Sequence, residues 1–238
     1  MLILIAAIVS GLLTYGGVFV IFQNAVYGVL PALVVFGLVY FVLTKQISKQ
    51  LQDEMAPIQQ QLQSGRTDNA IKTLENIRDK YANRQFFTKS TLNGQIGVIH
   101  FMNKSFDKAK PYLEKSFVRL WNAQAMLGVL HGKNKEYDAM DETFERCVKY
   151  SPKQGVVWST WAWIHWKASR REKAIQILTR GKTALDGKDE MLNNNLLAVQ
   201  NNKKMKMKGY GDVWYQFHLE THPALHKAKR GNVRFARR

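Results

Sequence analysis

Three histidines recur at one position of a repeating pattern. His100, His131 and His165 each lie three residues after a small residue, Gly97, Gly128 and Ala162. Imidazoles in a row could ligate a metal or could pack. Zinc–nitrogen bonds are about 2 Å long, whereas equivalent positions in adjacent packed helices stand about 10 Å apart. One ion does not bridge that gap, so packing is the expectation. His218, His222 and His226 are four apart and would share a helix face, but Pro223 interrupts such a helix. The single cysteine, Cys147, excludes an intrachain disulfide and a cysteine-based metal site. Asp138, Asp141, Glu142 and Glu145 sit among lysines and arginines, as on a solvated helix face. The chain has no glycine-rich phosphate loop, no His-Glu-x-x-His and no nucleophile motif. These residues point to recognition without catalysis, and no cofactor or metal is expected.

The elements that would carry that recognition are helical. Prolines are few, helix-favouring residues are abundant and alternating strand patterns are absent, so the expected class is all-α. Four segments share one layout. Ala70, Ala109, Met140 and Ala174 are each followed four residues later by Leu74, Leu113, Phe144 or Leu178. The anchors are 39, 31 and 34 residues apart, the period of a helical-hairpin solenoid. No single hairpin buries its apolar faces alone, so stacked hairpins share a core. Small residues at Gly97, Gly128 and Ala162 let helices approach, and large ones such as Trp158 fill the space beside them. The stretch from Glu190 to Met207 suits a capping helix.

In these residues the chain resembles the tetratricopeptide repeat family. The third repeat shows Leu127-Gly128, Tyr137, Phe144 and Pro152; the fourth shows Trp158, Trp161-Ala162, Ala174 and Leu178; the second shows Ile96-Gly97, Phe106, Ala109 and Leu113. The first is degenerate, with Gly65 and Ala70 but Pro57-Ile58 where the family pairs a large with a small residue. The resemblance covers roughly Met55 to Asp186. It implies that the histidine slot is a packing position, since the family places an aromatic there. It also implies a peptide-binding face made by the first helix of each repeat. Carried onto this sequence, that face comprises Gln95, Val98, Phe101 and Met102, then Asn122, Met126, Val129 and Lys133, then Ser159, Trp163, Trp166 and Lys167. Apolar anchors beside lysines suit a peptide with hydrophobic side chains and a carboxylate. The competing occupant is the chain's own segment Val213-Trp-Tyr-Gln-Phe217.

The first 44 residues carry no charged side chain. Two apolar runs, Met1 to Phe22 and Ala25 to Thr44, flank Gln23-Asn24. Each run of about 20 residues rises roughly 30 Å as a helix, the thickness of a bilayer's hydrocarbon core. A transmembrane hairpin is therefore expected over 1–44, with close approach at Ala7 and Gly11 and at Ser10 and Thr14. A signal peptide would need a basic start and a shorter apolar core. Lys45 and Lys49 follow the second run directly, which puts the tip outside and the remainder in the cytoplasm. The expected division is a hairpin over 1–44, a juxtamembrane linker over 45–54, repeats over 55–202 and a basic segment over 203–238. That last segment has ten Lys and Arg against two Asp and Glu and ends KAKRGNVRFARR. Anionic lipid headgroups are its leading partner, an acidic protein next; nucleic acid is unlikely, since no recognition module accompanies the charge. The functional expectation is a repeat adaptor anchored in a bacterial-type inner membrane that binds partner proteins or peptides at the cytoplasmic face. The alternative is an accessory subunit of a membrane complex, assembled through the hairpin.

Overall fold

The computed structural model describes residues 2–84 and 87–223. His226 and the run KAKRGNVRFARR lie outside them. The described residues contain helices and no strand: α1 (Leu2–Phe22), α2 (Ala25–Gln63), α3 (Thr67–Tyr81), α4 (Thr88–Met102), α5 (Phe106–Glu114), α6 (Trp121–Lys133), α7 (Tyr137–Tyr150), α8 (Gly155–Lys167), α9 (Arg171–Ala184), α10 (Glu190–Gln200) and the short α11 (Asp212–Tyr215). The chain divides into two compact units, Met1–Ile96 and Gly97–Arg238.

In the N-terminal unit, α1 and α2 pair through small residues. Ile3, Ala7 and Gly11, each four residues from the next, are the buried positions of α1. A Cβ added at Gly11 would stand 3.3 Å from the Ala32 carbonyl oxygen and from the Phe36 Cβ, so the backbones nearly touch. Ser10 and Thr14 bond back to carbonyls of their own helix, Ala7 O and Ser10 O. Asn24 opens α2 by accepting from the Val26 N–H. Away from the seam, both helices expose apolar side chains such as Leu13, Val20 and Leu30. Both are long and apolar enough to cross a membrane.

The apolar run ends near Thr44, yet α2 continues to Gln63. Residues 45–54 are thus the middle of a 39-residue helix. The last turns of α2 serve as the first helix of the first repeat. Ile58 is buried there, and Glu54 receives the Lys80 ammonium and the Tyr81 hydroxyl from α3. Those contacts hold the Glu54 carboxyl below its ordinary value. Pro57 lies within the helix and removes one of its backbone bonds.

In the C-terminal unit, small residues face large ones as the repeat layout predicts. A Cβ on Gly97 would come within 2.8 Å of Leu113, and one on Gly128 within 2.6 Å of Phe144. Consecutive hairpins α4–α5, α6–α7 and α8–α9 feed a core that runs from Phe101 through Phe144, Trp161 and Leu178 to Phe217.

One turn is repeated along the whole chain. Gly65, Lys104, Lys135, Ser169 and Asn202 all have positive φ, between 56° and 73°. At each, the next residue's N–H reaches back five residues, to the carbonyls of Gln61, His100, His131, His165 and Ala198. This is the left-handed cap that ends a helix by satisfying its last carbonyls. The recurring histidines supply the accepting carbonyl of that cap. The same cap ends α9 at Asp186, where the Gly187 N–H reaches the Lys182 carbonyl, so both α9 and α10 close in this way. The expected capping helix therefore stops at Gln200, two residues before the left-handed turn at Asn202, and not at Met207. Beyond α10, the chain turns into an extended strap.

Candidate functional site

The strap lies along the face formed by the first helices. Its sequence Lys204-Met205-Lys206-Met207-Lys208 alternates, with both methionines buried and the three lysines exposed. A 3₁₀ turn at Lys208–Tyr210 and α11 follow. Asn195 of α10 fixes the start: its side-chain oxygen accepts from the Lys206 N–H at 2.7 Å. The Tyr210 hydroxyl meets Ser159 Oγ at 2.8 Å and Asp189 Oδ1 at 3.3 Å, and burial pushes the phenol's pKa well above its ordinary value. Trp214 is fully buried edge-on to Trp163, with ring centres 5.2 Å apart. His218 stacks on Phe101 at 5.6 Å and contacts the Met102 carbonyl through Nε2 at 3.1 Å.

The residues expected to form a peptide face therefore fall into distinct settings. Phe101, Ser159 and Trp163 touch the strap directly. Met126 and Val129 are buried in the core, and Val98 packs partly buried against it. Asn122 is half-buried and accepts from the Ala123 N–H in its own turn. Lys133 donates to the His218 carbonyl at 3.1 Å. Lys167 is exposed, with Nζ 5.2 Å from the rings of both Trp163 and the half-buried Trp166. Met102 is exposed, and Gln95 is half-buried on α4. Trp214 and Phe217 are the cis occupant named from sequence. Met205, Met207, Tyr210 and His218 were not anticipated; the two-residue alternation around the methionines is the signal that marks them as one-sidedly buried.

The three histidines do not converge. His100 stacks on Tyr112, His131 pairs with Glu136 through Nδ1, and His165 contacts Asp141 through Nε2 at 2.6 Å. Among the described residues no group of three or more His, Cys, Asp or Glu could hold a metal ion. Cys147 is buried beside the Trp121 carbonyl, and burial pushes its thiol up to about 12, far from a reactive thiolate.

His165 is the most constrained of these groups. Its ring is almost completely buried, Tyr137 stacks on it, and Asp141 also receives the Trp161 indole N–H. With Nε2 donating to Asp141, Nδ1 is a buried nitrogen without a partner. Protonating Nδ1 would bury a charge and an unsatisfied donor together. Burial therefore holds the His165 pKa below its ordinary value despite the Asp141 carboxylate, with Arg170 and Lys173 acting in the same direction as burial. The unfolded chain binds the proton more readily, so stability is full above the ordinary histidine pKa and falls as the pH drops through the lower folded value. Thermal melts of the full chain in neutral detergent should show a lower midpoint at pH 5.5 than at pH 7.5. His165→Phe should reduce that slope, with His218, also held low by burial, leaving a part of the same sign; an unchanged slope would remove His165 as a source.

The described fold is thus all-α: two N-terminal apolar helices, then a tetratricopeptide-like solenoid of helical hairpins closed by α10. Residues 122–154, which span α6, α7 and the turn after them, match the tetratricopeptide repeat family model. That stretch holds Gly128, Tyr137, Phe144 and Pro152. No curated protein and no solved structure matches the chain. Repeats similar to these generally bind other proteins and generally do not catalyse reactions.

Proposed function

We propose that this chain is a membrane-anchored adaptor that presents its repeats at the cytoplasmic face of a bacterial inner membrane and there binds partner proteins or peptides. The observation that carries the reading is the aromatic face of the repeats, which receives Trp214 from the short helix α11, with Phe217 packed beside it. A partner segment with the same spacing of aromatic residues would take the strap's place on Phe101, Ser159 and Trp163. The α1–α2 hairpin supplies the anchor, and its continuation into the first repeat makes the attachment stiff. Exposed Lys204, Lys206 and Lys208 add attraction to anionic headgroups, each worth about 1 kcal/mol near such a surface. The second reading, an accessory subunit, draws on that same continuous helix, which would carry assembly in the bilayer directly into the repeats. Affinity capture with the full chain and with a chain lacking residues 1–44 separates the two. Partners kept without the hairpin support the adaptor, and partners lost with it support the subunit.

The orientation is tested separately. Lys45 and Lys49 follow the second apolar run, and the Gln23-Asn24 tip has no cation. Reporter fusions after residue 44 and at the C-terminus should both give a cytoplasmic signal, and an external signal from either would reverse the topology.

A further inference from the structure

A cavity of about 460 Å³ opens where the α4–α5 turn, the end of α6 and the last described part of the strap meet. Lys104, Lys133, His218 and His222 line it, with Phe106 and Tyr215 as aromatic walls. Its cationic side chains outnumber its one carboxylate. Glu220, the carboxylate on its wall, receives the Trp214 indole N–H at 2.9 Å, and His222 stands 3.5 Å from Asp212. No carboxylate forms an ion pair with Lys104 or Lys133 among the described residues. The Lys133 ammonium sits 4.4 Å from the Phe106 ring centre and donates to the His218 carbonyl. Burial first, and then Lys104, holds Lys133 below the ordinary lysine pKa; burial, Lys104 and Lys133 all push His218 the same way. Two lysines that repel one another in a partly dry cleft are stabilised by an anion.

We propose that this cavity binds a phosphate dianion, either free or as a terminal phosphomonoester, between Lys104 and Lys133 with the two histidines beside it. Glu220 offsets part of the lysine charge, and a phosphate has separate oxygens that can accept from both ammonium groups at once. Ammonium–phosphate contacts are charge-assisted and among the stronger hydrogen bonds. The site draws on the α4–α5 turn, on α6 and on the strap, so an occupying phosphate pins the strap to the repeats. This inference stands apart from partner binding, because no partner enters its test.

The test uses the full chain in neutral detergent, titrated with orthophosphate at pH 7.5 and followed by calorimetry, with hydrogen exchange over residues 205–222 as a second readout. A parallel arm places the chain in phosphatidylcholine nanodiscs with or without phosphatidic acid. The expected result is saturable binding, slower exchange in the strap and a loss of affinity of about tenfold or more in Lys104→Met, as for removal of one charged hydrogen bond. Lys133→Met should weaken binding similarly but also removes a bond to the strap, so Lys104→Met is the deciding variant. Lys188→Met, on an exposed turn, should bind as the parent does. Saturation by orthophosphate assigns a soluble source. Strap protection by phosphatidic acid alone, lost in Lys104→Met, assigns a lipid headgroup. Binding unchanged in Lys104→Met, or no response to either source, overturns the site.

Discussion

Gly128→Leu should lower the melting midpoint of the full chain by about 10 °C, corresponding to a loss of about 3 kcal/mol, the upper end of overpacking costs. The Cβ alone would stand 2.6, 2.8 and 3.0 Å from three carbons of the Phe144 ring. That ring has nowhere to go. It is fully buried and lies parallel to Trp161, with centres 5.9 Å apart, and Trp161 is tied to Asp141 by its indole N–H. The helices α6 and α7 must therefore separate. Because neighbouring hairpins share the core, the cost spreads to α8. Gly128→Ala should show a smaller fall, and adding Phe144→Leu to Gly128→Ala should recover part of it, since the two positions couple directly. Circular dichroism melts of the four chains check this. A Gly128→Leu midpoint equal to the parent's would mean that α6 and α7 do not approach as closely as described.

The parts of this fold that rest on side-chain size were legible in the sequence. Gly97 and Gly128 mark close approaches, and Leu113 and Phe144 fill them. The features set by backbone geometry were hidden. Lys104, Lys135, Ser169 and Asn202 close their helices in the left-handed region without a glycine to announce it. Their spacing repeats that of the anchors, but the residue types do not. Part of the histidine slot's role was hidden in the same way: a backbone carbonyl performs the repeated task, and each imidazole finds a different partner. The length of α2 was also obscured. The switch from apolar residues to Lys45 and Lys49 reads as a boundary, and helix propensity does not change there; Gln46, Lys49, Gln50 and Leu51 are all good helix formers. For the candidate face, the first helices were identifiable by family layout, and the segment containing Trp214 was a recognisable competitor. What covers what depends on contacts between residues far apart in sequence, such as Lys133 with His218. No local pattern encodes those.

The strap's position makes a second large effect measurable. Trp214→Ala should release residues 205–222 from the repeats and raise their cleavage rate by about two orders of magnitude. The side chain is fully buried, packs edge-on against Trp163 and Phe217, and donates to Glu220. Truncating a buried tryptophan costs about 3–5 kcal/mol. For a docked segment that cost shifts the local opening equilibrium, and cleavage tracks that equilibrium when reclosing is fast. Lys203, Lys204, Lys206 and Lys208 supply trypsin sites within and beside the strap. Trp163→Ala should loosen the same residues, because it removes the opposite wall of the contact. The helices should persist in both variants, since Phe144, Trp161 and Leu178 remain packed beneath. The adaptor reading adds a consequence that stability alone would not: Trp214→Ala should capture more of a partner segment than the parent, and Trp163→Ala less, although both loosen the strap. Limited proteolysis and capture, measured on the same two variants in neutral detergent, separate the roles. Equal capture by both would leave the strap as a purely structural closure of the repeats. Cleavage at the parental rate in Trp214→Ala would mean that Met205, Met207 and Tyr210 hold the strap without it.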